Sequence, residues 1–182
     1  MQAIVLEPGS GIAMVPVELD HAAELASLVQ RNLPHLGAYL PSVTGLASTD
    51  TARAHLQAAL EGARHGDILE WHVFLGRTLC GAVRVRDIDP GDRKAKIGYF
   101  IGNDFGGRGV ATSAVRAVLV YCFASLHLNR IELRCASTNG RSIRLAERLG
   151  FVREGVLRQD ECLNGVFVDQ LVYGLLRAEF GD

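Results

Sequence analysis

The stretch with the clearest chemical content is Gly102-Asn103-Asp104-Phe105-Gly106-Gly107-Arg108-Gly109-Val110-Ala111-Thr112. It follows an apolar segment, Ile97 to Ile101, and opens an alanine-rich one, Val110 to Leu126. A strand that empties through glycines into a helix suits the close approach of an anion. Glycine takes positive φ and carries no Cβ to hold a ligand away, and the unpaired amides and dipole of a helix start offer donors to phosphate oxygens. The predicted partner is a phosphate-bearing cofactor. A P-loop is excluded because no Lys follows a glycine at the G-x-x-x-x-G-K-S/T spacing. A dinucleotide fingerprint fails because Thr112 stands where G-x-G-x-x-G needs its third glycine.

Gly109 and Ala111 match the last two fixed positions of the pattern Gln/Arg-x-x-Gly-x-Gly/Ala, with Gly106 in the place of the usual Gln or Arg. Further on, Asn139-Gly-Arg-Ser142 leads to Leu149-Gly150-Phe151, and Glu161-Cys-Leu-Asn164-Gly165 follows. In this order, over about Leu69 to Leu176, the chain resembles the Gcn5-related N-acetyltransferases (GNAT), in particular the branch of ribosomal-protein N-terminal acetyltransferases. The resemblance implies an α/β (α+β) fold. Its mixed, mostly antiparallel sheet would carry helices on both faces and a central strand–glycine loop–helix–strand crossover. It implies acetyl-CoA as cofactor, with pantetheine lying between the strand that ends at Ile101 and the next parallel strand. Backbone groups near Phe100 and Ile101 would then meet the cofactor arm, and one such amide could stabilise the oxyanion formed as the thioester is attacked. Gly106, Gly107, Gly109, Val110, Ala111 and Thr112 would contact the diphosphate, Arg108 would face it, and Asn139 would lie beside the cofactor.

The resemblance also assigns the catalytic roles. Glu161, on the strand before the Asn164-Gly165 turn, is the candidate base, acting directly or through a water. Many members of the superfamily carry a Tyr in the helix after the Asn, as acid for the departing thiolate; here Ala146 stands there, with no Tyr near it in sequence. Ser142 takes that role instead, in the first turn of a helix capped by Asn139, where the dipole also favours a thiolate. At pH 7 an α-amine with pKa near 8 is roughly 10% neutral, while a Lys side chain is below about 0.1% neutral, so one modest base favours N-terminal amines. The leading reading is therefore direct acetyl transfer in a ternary complex to the α-amine of a protein or peptide, a ribosomal one above all. Acetylation of a small amine such as an antibiotic or polyamine, and an acyl-CoA sensor that transfers nothing, stay open beside it.

Composition sets the outer limits. At 182 residues with 48% hydrophobic and 21% charged residues, a single soluble domain spanning 1–182 is expected. A net charge of −1 gives no general case for nucleic acid or membranes, though it leaves room for a local basic patch. Cys80, Cys122, Cys135 and Cys162 form no C-x-x-C pair and read as reduced core residues, which points to the cytoplasm. The histidines lack ligand spacing, so no metal is expected, and His72 reads as an exposed strand residue.

The elements that must position these groups follow from periodicity. Ile12 to Val17 suggests an edge strand, since Pro16 cannot donate to a ladder. Asp20 is a cap for a helix to about Gln30 that buries Leu25, Leu28 and Val29, and Leu33-Pro34 breaks it. Thr49-Asp50 caps a second helix ending at Gly66. Strands at 68–75, 78–86 and 94–101 form a meander; the glycine loop then starts one helix over 110–126, and Arg130 to Ala136 returns parallel to the third strand. Asn139 caps a further helix with Gly150 as its C′ residue, and Asn164-Gly165 turns a closing hairpin in which Asp160 faces Asp169. Two carboxylates opposed in a ladder repel, so a bulge, a cation or a shared proton is expected there. The apolar positions of Val166 to Leu175 suggest a homodimer.

Overall fold

A computed structural model describes residues 3–181. Its eight strands are β1 (Leu6–Gly9), β2 (Ile12–Pro16), β3 (Ile68–Leu75), β4 (Thr78–Asp89), β5 (Lys94–Ile101), β6 (Arg130–Ala136), β7 (Val152–Leu163) and β8 (Val166–Leu176). They form one sheet in the order β1-β2-β3-β4-β5-β6-β8-β7. Every neighbouring pair is antiparallel except β5 and β6, which the crossover helix α5 (Val110–Val120) joins in parallel. The mixed sheet with its central crossover is thus as the sequence predicts.

Helices cover both faces. On one lie α1 (Ala22–Arg31), α2 (Leu33–Gly37), α3 (Pro41–Thr44) and α4 (Thr49–His65), with Leu25, Leu28 and Leu56 fully buried against Leu79, Ala82 and Phe100. On the other, α5 and α6 (Gly140–Arg148) pack Val115, Val118 and Leu145 onto Trp71, Val83, Ile97 and Leu133. Each fully buried Leu or Val contributes about 1.5–3 kcal/mol, so both layers are firmly seated. Among the described residues, no helix is long and apolar enough to cross a membrane.

Several expectations are corrected. Ile12–Pro16 is not the edge: Leu6–Gly9 folds back onto it, Leu6 opposite Met14, and brings Pro8 to the rim, so the edge-strand proline lies one strand earlier. Asp20 does not cap α1 but sits inside a 3₁₀ turn, Leu19–His21, flanked by Glu18. Thr49 and Asp50 lie inside α4, whose cap is Ser48, its hydroxyl accepting from Thr51 N at 3.2 Å. The crossover helix is α-helical only to Val120; Tyr121–Ser125 winds as a π turn, with Leu126 N donating to Tyr121 O. Cys162, paired with the exposed Phe167 near the hairpin tip, is itself exposed, unlike the buried Cys80, Cys122 and Cys135.

His72 is the plainest reversal. It is fully buried, because the β3 face that carries Glu70, His72 and Phe74 turns towards the α1 and α4 layer. Its Nδ1 lies 3.0 Å from Nδ1 of His21, and among the described residues its Nε2 has no hydrogen-bond partner. Burial pushes its pKa down to about 4, against the pull of Glu70.

Candidate active site

The site begins where two parallel strands part. β5 and β6 stay in register from Lys94 opposite Arg130 to Ile97 opposite Leu133 and no further. Beyond that point Gly98 to Ile101 pair only with β4, and Arg134 to Ala136 only with β8. Into this fork opens a cavity of about 1480 Å³, larger than the roughly 300–1,000 Å³ typical of small-ligand pockets. It runs from the glycine loop at one end to Glu161 at the other.

At the first end, Asn103–Phe105 forms a 3₁₀ turn, and Gly107 and Gly109 both have φ of +75°. That conformation strains any residue with a Cβ, and a Cβ at either position would project into space free of protein atoms for 4 Å. Gly109 is the N-cap of α5, so the amides of Val110, Ala111 and Thr112 fall in its first turn and have no carbonyl partner within the helix. These three residues line the cavity with Gly106, Gly107 and Gly109. Arg108 does not line it; its side chain is exposed. The loop hangs from α1. Buried Asn32 accepts from Asn103 N at 2.7 Å and donates to Leu28 O at 2.9 Å. A Cβ on Gly102 would stand 2.9 Å from the Leu28 side chain and 3.1 Å from that of Asn32, so a larger residue there would press on this clasp.

The fork supplies backbone. Phe100 turns its ring into the core beneath α1 and α4, leaving its main chain at the cavity wall. The Ile101 main chain is met by the imidazole of His35; burial and Arg141 lower the pKa of that ring, and the bond to Ile101 raises it. Facing them, Asn139 Oδ1 accepts from Ser142 N at 3.2 Å, the predicted cap. Ser142 is buried, and its Oγ accepts from the hydroxyl of Tyr99 at 3.3 Å. Burial raises the Cys135 thiol pKa, and a hydrogen bond with Ser142 lowers it. Sequence distance hides Tyr99, yet its alternation with Ile97 and Ile101 on β5 would have placed it on the α6 side of the sheet.

At the far end the hairpin carries the expected bulge. Leu157 opposes Gln170 and Glu161 opposes Val168, so Arg158, Gln159 and Asp160 face Asp169 alone. Gln159 takes φ of 52° and donates its N–H to Asp169 Oδ1 at 2.9 Å, while Asp160 lies 3.9 Å from Arg134. The predicted Asp160–Asp169 clash is thereby removed, and both Asp160 and Glu161 line the cavity. Glu161 is half-buried and accepts a hydrogen bond from Gln170 Nε2. Burial raises its pKa, the Gln170 bond lowers it and the charge of Asp160 raises it, leaving it above the ordinary carboxylate value.

The cavity wall beside the hairpin is stitched together. Asn164 Nδ2 donates to Gly37 O at 3.0 Å, and Tyr39 OH to Thr138 O at 2.9 Å, so the end of α2 and the residues just after it bridge from the hairpin turn to the β6–α6 loop. Below it, buried Glu70 accepts from Arg84 Nε at 2.5 Å and meets His55 Nε2 at 3.1 Å. Burial would raise the Glu70 pKa, but these two neighbours hold it below the ordinary value.

Comparison with known proteins agrees with this geometry. Residues 12–152 match the model of the acetyltransferase (GNAT) domain. The chain is 33% identical over 171 residues to the putative ribosomal N-acetyltransferase YdaF of Bacillus subtilis, covering 90% of each chain. It is 27% identical over 154 residues to the ribosomal-protein-serine acetyltransferase of Escherichia coli, covering 85% of this chain and 86% of that one. Its fold superposes with a TM-score of 0.91, at 23% identity over 95% of this chain and 98% of the other, on RimL, a ribosomal L7/L12 alpha-N-protein acetyltransferase solved with coenzyme A. The forked strands, the glycine-led helix start and these matches make the chain a member of the GNAT N-acetyltransferases, with acetyl-CoA as its acetyl donor.

Proposed function

We propose that this enzyme acetylates the N-terminal α-amine of a protein or peptide in the cytoplasm, with ribosomal proteins as the leading class, by direct transfer in a ternary complex. The observation that carries the reading is the charge pairing of the cavity. Four carboxylates line it: Glu70, Glu132, Asp160 and Glu161. Glu70 has Arg84 and His55, Glu132 has Arg130 and Arg134, and Asp160 has Arg134. Among the described residues, Glu161 alone has no cation within ion-pair distance. It is the carboxylate free to receive an ammonium group.

Glu161 then takes the proton that makes the amine nucleophilic, and its raised pKa brings it closer to that of the amine. Gln170 fixes the orientation of the carboxylate. Ser142 delivers a proton to the departing thiolate from the first turn of α6, and Tyr99, whose hydroxyl donates to Ser142 Oγ, holds that hydroxyl in place. The amides of the α5 start and the fork hold the donor; coenzyme A supplies the activated thioester. That one cavity reaches from the glycine loop to Glu161 supports simultaneous occupancy by both substrates. Similarity to the putative ribosomal N-acetyltransferase YdaF and to the ribosomal-protein-serine acetyltransferase of Escherichia coli favours a ribosomal acceptor.

Incubating the protein with acetyl-CoA and a panel of ribosomal proteins and small amines, followed by mass spectrometry, tests this. Acetylation at a protein α-amine is expected; product confined to small amines would replace the acceptor reading. We also propose a homodimer. Val152 and Val156 on the edge strand β7 and Val166 and Phe167 at the hairpin are 53%, 41%, 63% and 64% exposed, an apolar surface fit for a second copy. Sedimentation showing a monomer at micromolar concentration would refute it.

A further inference from the structure

The near-neutral net charge conceals a local concentration of cations. Arg141, Arg144 and Arg148 occupy α6 at i, i+3 and i+7, a spacing that stacks side chains on one helical face. All three line the cavity opposite the glycine loop. Among the described residues, no carboxylate lies within ion-pair distance of any of them. The cations at the other end of the cavity are treated differently: Arg84, Arg86, Lys96 and Arg134 each have an acidic partner. Unpaired guanidinium groups gathered on one cavity wall repel one another unless an anion joins them.

Their hydrogen bonds order them along the wall. Arg141 Nη1 donates to Asn103 Oδ1 at 3.2 Å, and the guanidinium lies near enough to His35 to lower its pKa, so it sits at the inner end, beside the fork. Arg148 Nη1 reaches Thr112 Oγ1 at 3.4 Å, on the first turn of α5, at the outer end. Arg144 stands between them on α6 and, among the described residues, has no hydrogen bond to another side chain. The amides at the α5 start already suit a diphosphate. Coenzyme A carries one more phosphate, the monoester on the 3′-hydroxyl of its ribose, and that group needs its own cations.

We propose that Arg144 and Arg148 form a binding site for the 3′-phosphate of coenzyme A, making the enzyme selective for the phosphorylated cofactor over its dephosphorylated form. Guanidinium groups suit the task because their paired N–H donors match phosphate oxygens in a fixed fork. The proposal rests on the cofactor assignment above and adds to it the discrimination between two otherwise identical molecules. The diphosphate stays with the backbone, and the monoester goes to side chains.

Isothermal calorimetry with CoA and dephospho-CoA, on wild type and on the Arg144→Gln, Arg148→Gln double variant, tests it. Wild type should bind CoA at least ~10-fold more tightly than dephospho-CoA, the scale of charge-assisted hydrogen bonds. In the double variant that ratio should fall close to one, chiefly through weaker CoA binding, while affinity for dephospho-CoA stays near that of wild type. The single variants, compared by the same ratio and checked for folding by their melting curves, guard against a misfolded double. A wild-type ratio near one, or variants that weaken both ligands equally, would overturn the proposal and move these arginines to the diphosphate. Failure of wild type to bind either ligand would instead overturn the cofactor assignment on which the proposal stands.

Discussion

The two ends of the cavity are made of different material. The donor end is main chain: two glycines at positive φ, the first-turn amides of α5 and the unpaired edge of β5, most of it within residues 98–112. The acceptor end is side chain: Glu70 from β3, Arg84 from β4, Arg134 from β6, Glu161 from β7 and Gln170 from β8. The supports differ as well. Beneath the donor end lies an apolar core of Val110, Val115, Leu133 and Leu145. The acceptor end stands on a polar row in which half-buried His21, buried His72 and Glu70, and half-buried His55 follow one another. A main-chain site depends on conformation and tolerates many side chains; a side-chain site depends on charge and therefore on pH.

The contrast predicts where chemistry is lost most. Glu161→Gln should lower kcat by about 10² to 10⁴, the range for removing a general base, while acetyl-CoA affinity is unchanged. Because the raised pKa of Glu161 must be exceeded for it to act, the wild-type rate should also fall on acidification at a higher pH than for an ordinary carboxylate. Wild-type turnover in Glu161→Gln, with loss in Asp160→Asn, would move the base to the neighbouring residue.

A second prediction separates the supports. Burial holds His72 neutral, its folded pKa of about 4 lying well below the ordinary histidine value of about 6.5. Such a depressed histidine leaves stability at its full value above pH 6.5, and as pH falls from 6.5 to about 4 the unfolded chain takes up a proton that the folded one refuses, a loss on the order of 3 kcal/mol. Urea midpoints should therefore drop between pH 7 and 4, and His72→Phe should show a shallower drop. Equal slopes for the two proteins would remove His72 from the account.

The third and smallest effect sharpens the donor end. Gly109→Val should lose most of the affinity for acetyl-CoA, since a β-branched residue is strained at φ of +75° and its side chain enters the phosphate space. Arg108→Ala, outside the cavity lining, should change affinity far less. Calorimetry giving unchanged affinity in a folded Gly109→Val protein would break the main-chain description of this end.

The same division explains what could be read from the sequence. The glycine loop, the Asn139 cap and the Asn164-Gly165 turn each lie within a few consecutive residues, so local chemistry specifies them. The tight two-residue pairing of Leu163 with Val166 followed directly. Tyr99 and Ser142 meet across 43 positions, Asn32 and Asn103 across 71, and no local pattern links such pairs. His72 misled because alternation tells which residues share a face, not whether a helix covers it. β1 escaped because Glu7-Pro8-Gly9 looks like a loop, and strand identity there comes only from pairing with β2. The bulge lay between, since the two carboxylates called for relief without saying that Gln159 would provide it.

Asn32 bears on any attempt to redesign the acceptor. The helices that frame the amine pocket invite replacement as a block, with the donor half kept as a chassis. Yet the last residue before α2 holds the Asn103 amide of the glycine loop, and it does so through one carboxamide that faces both parts. The boundary of an exchangeable module therefore does not follow the boundary of the helices. A chimera joined at residue 40 would carry this clasp across with the transplanted piece. One whose donor sequence has any residue but Asn at that point would arrive with its cofactor loop unfastened, however well the new pocket fits its amine.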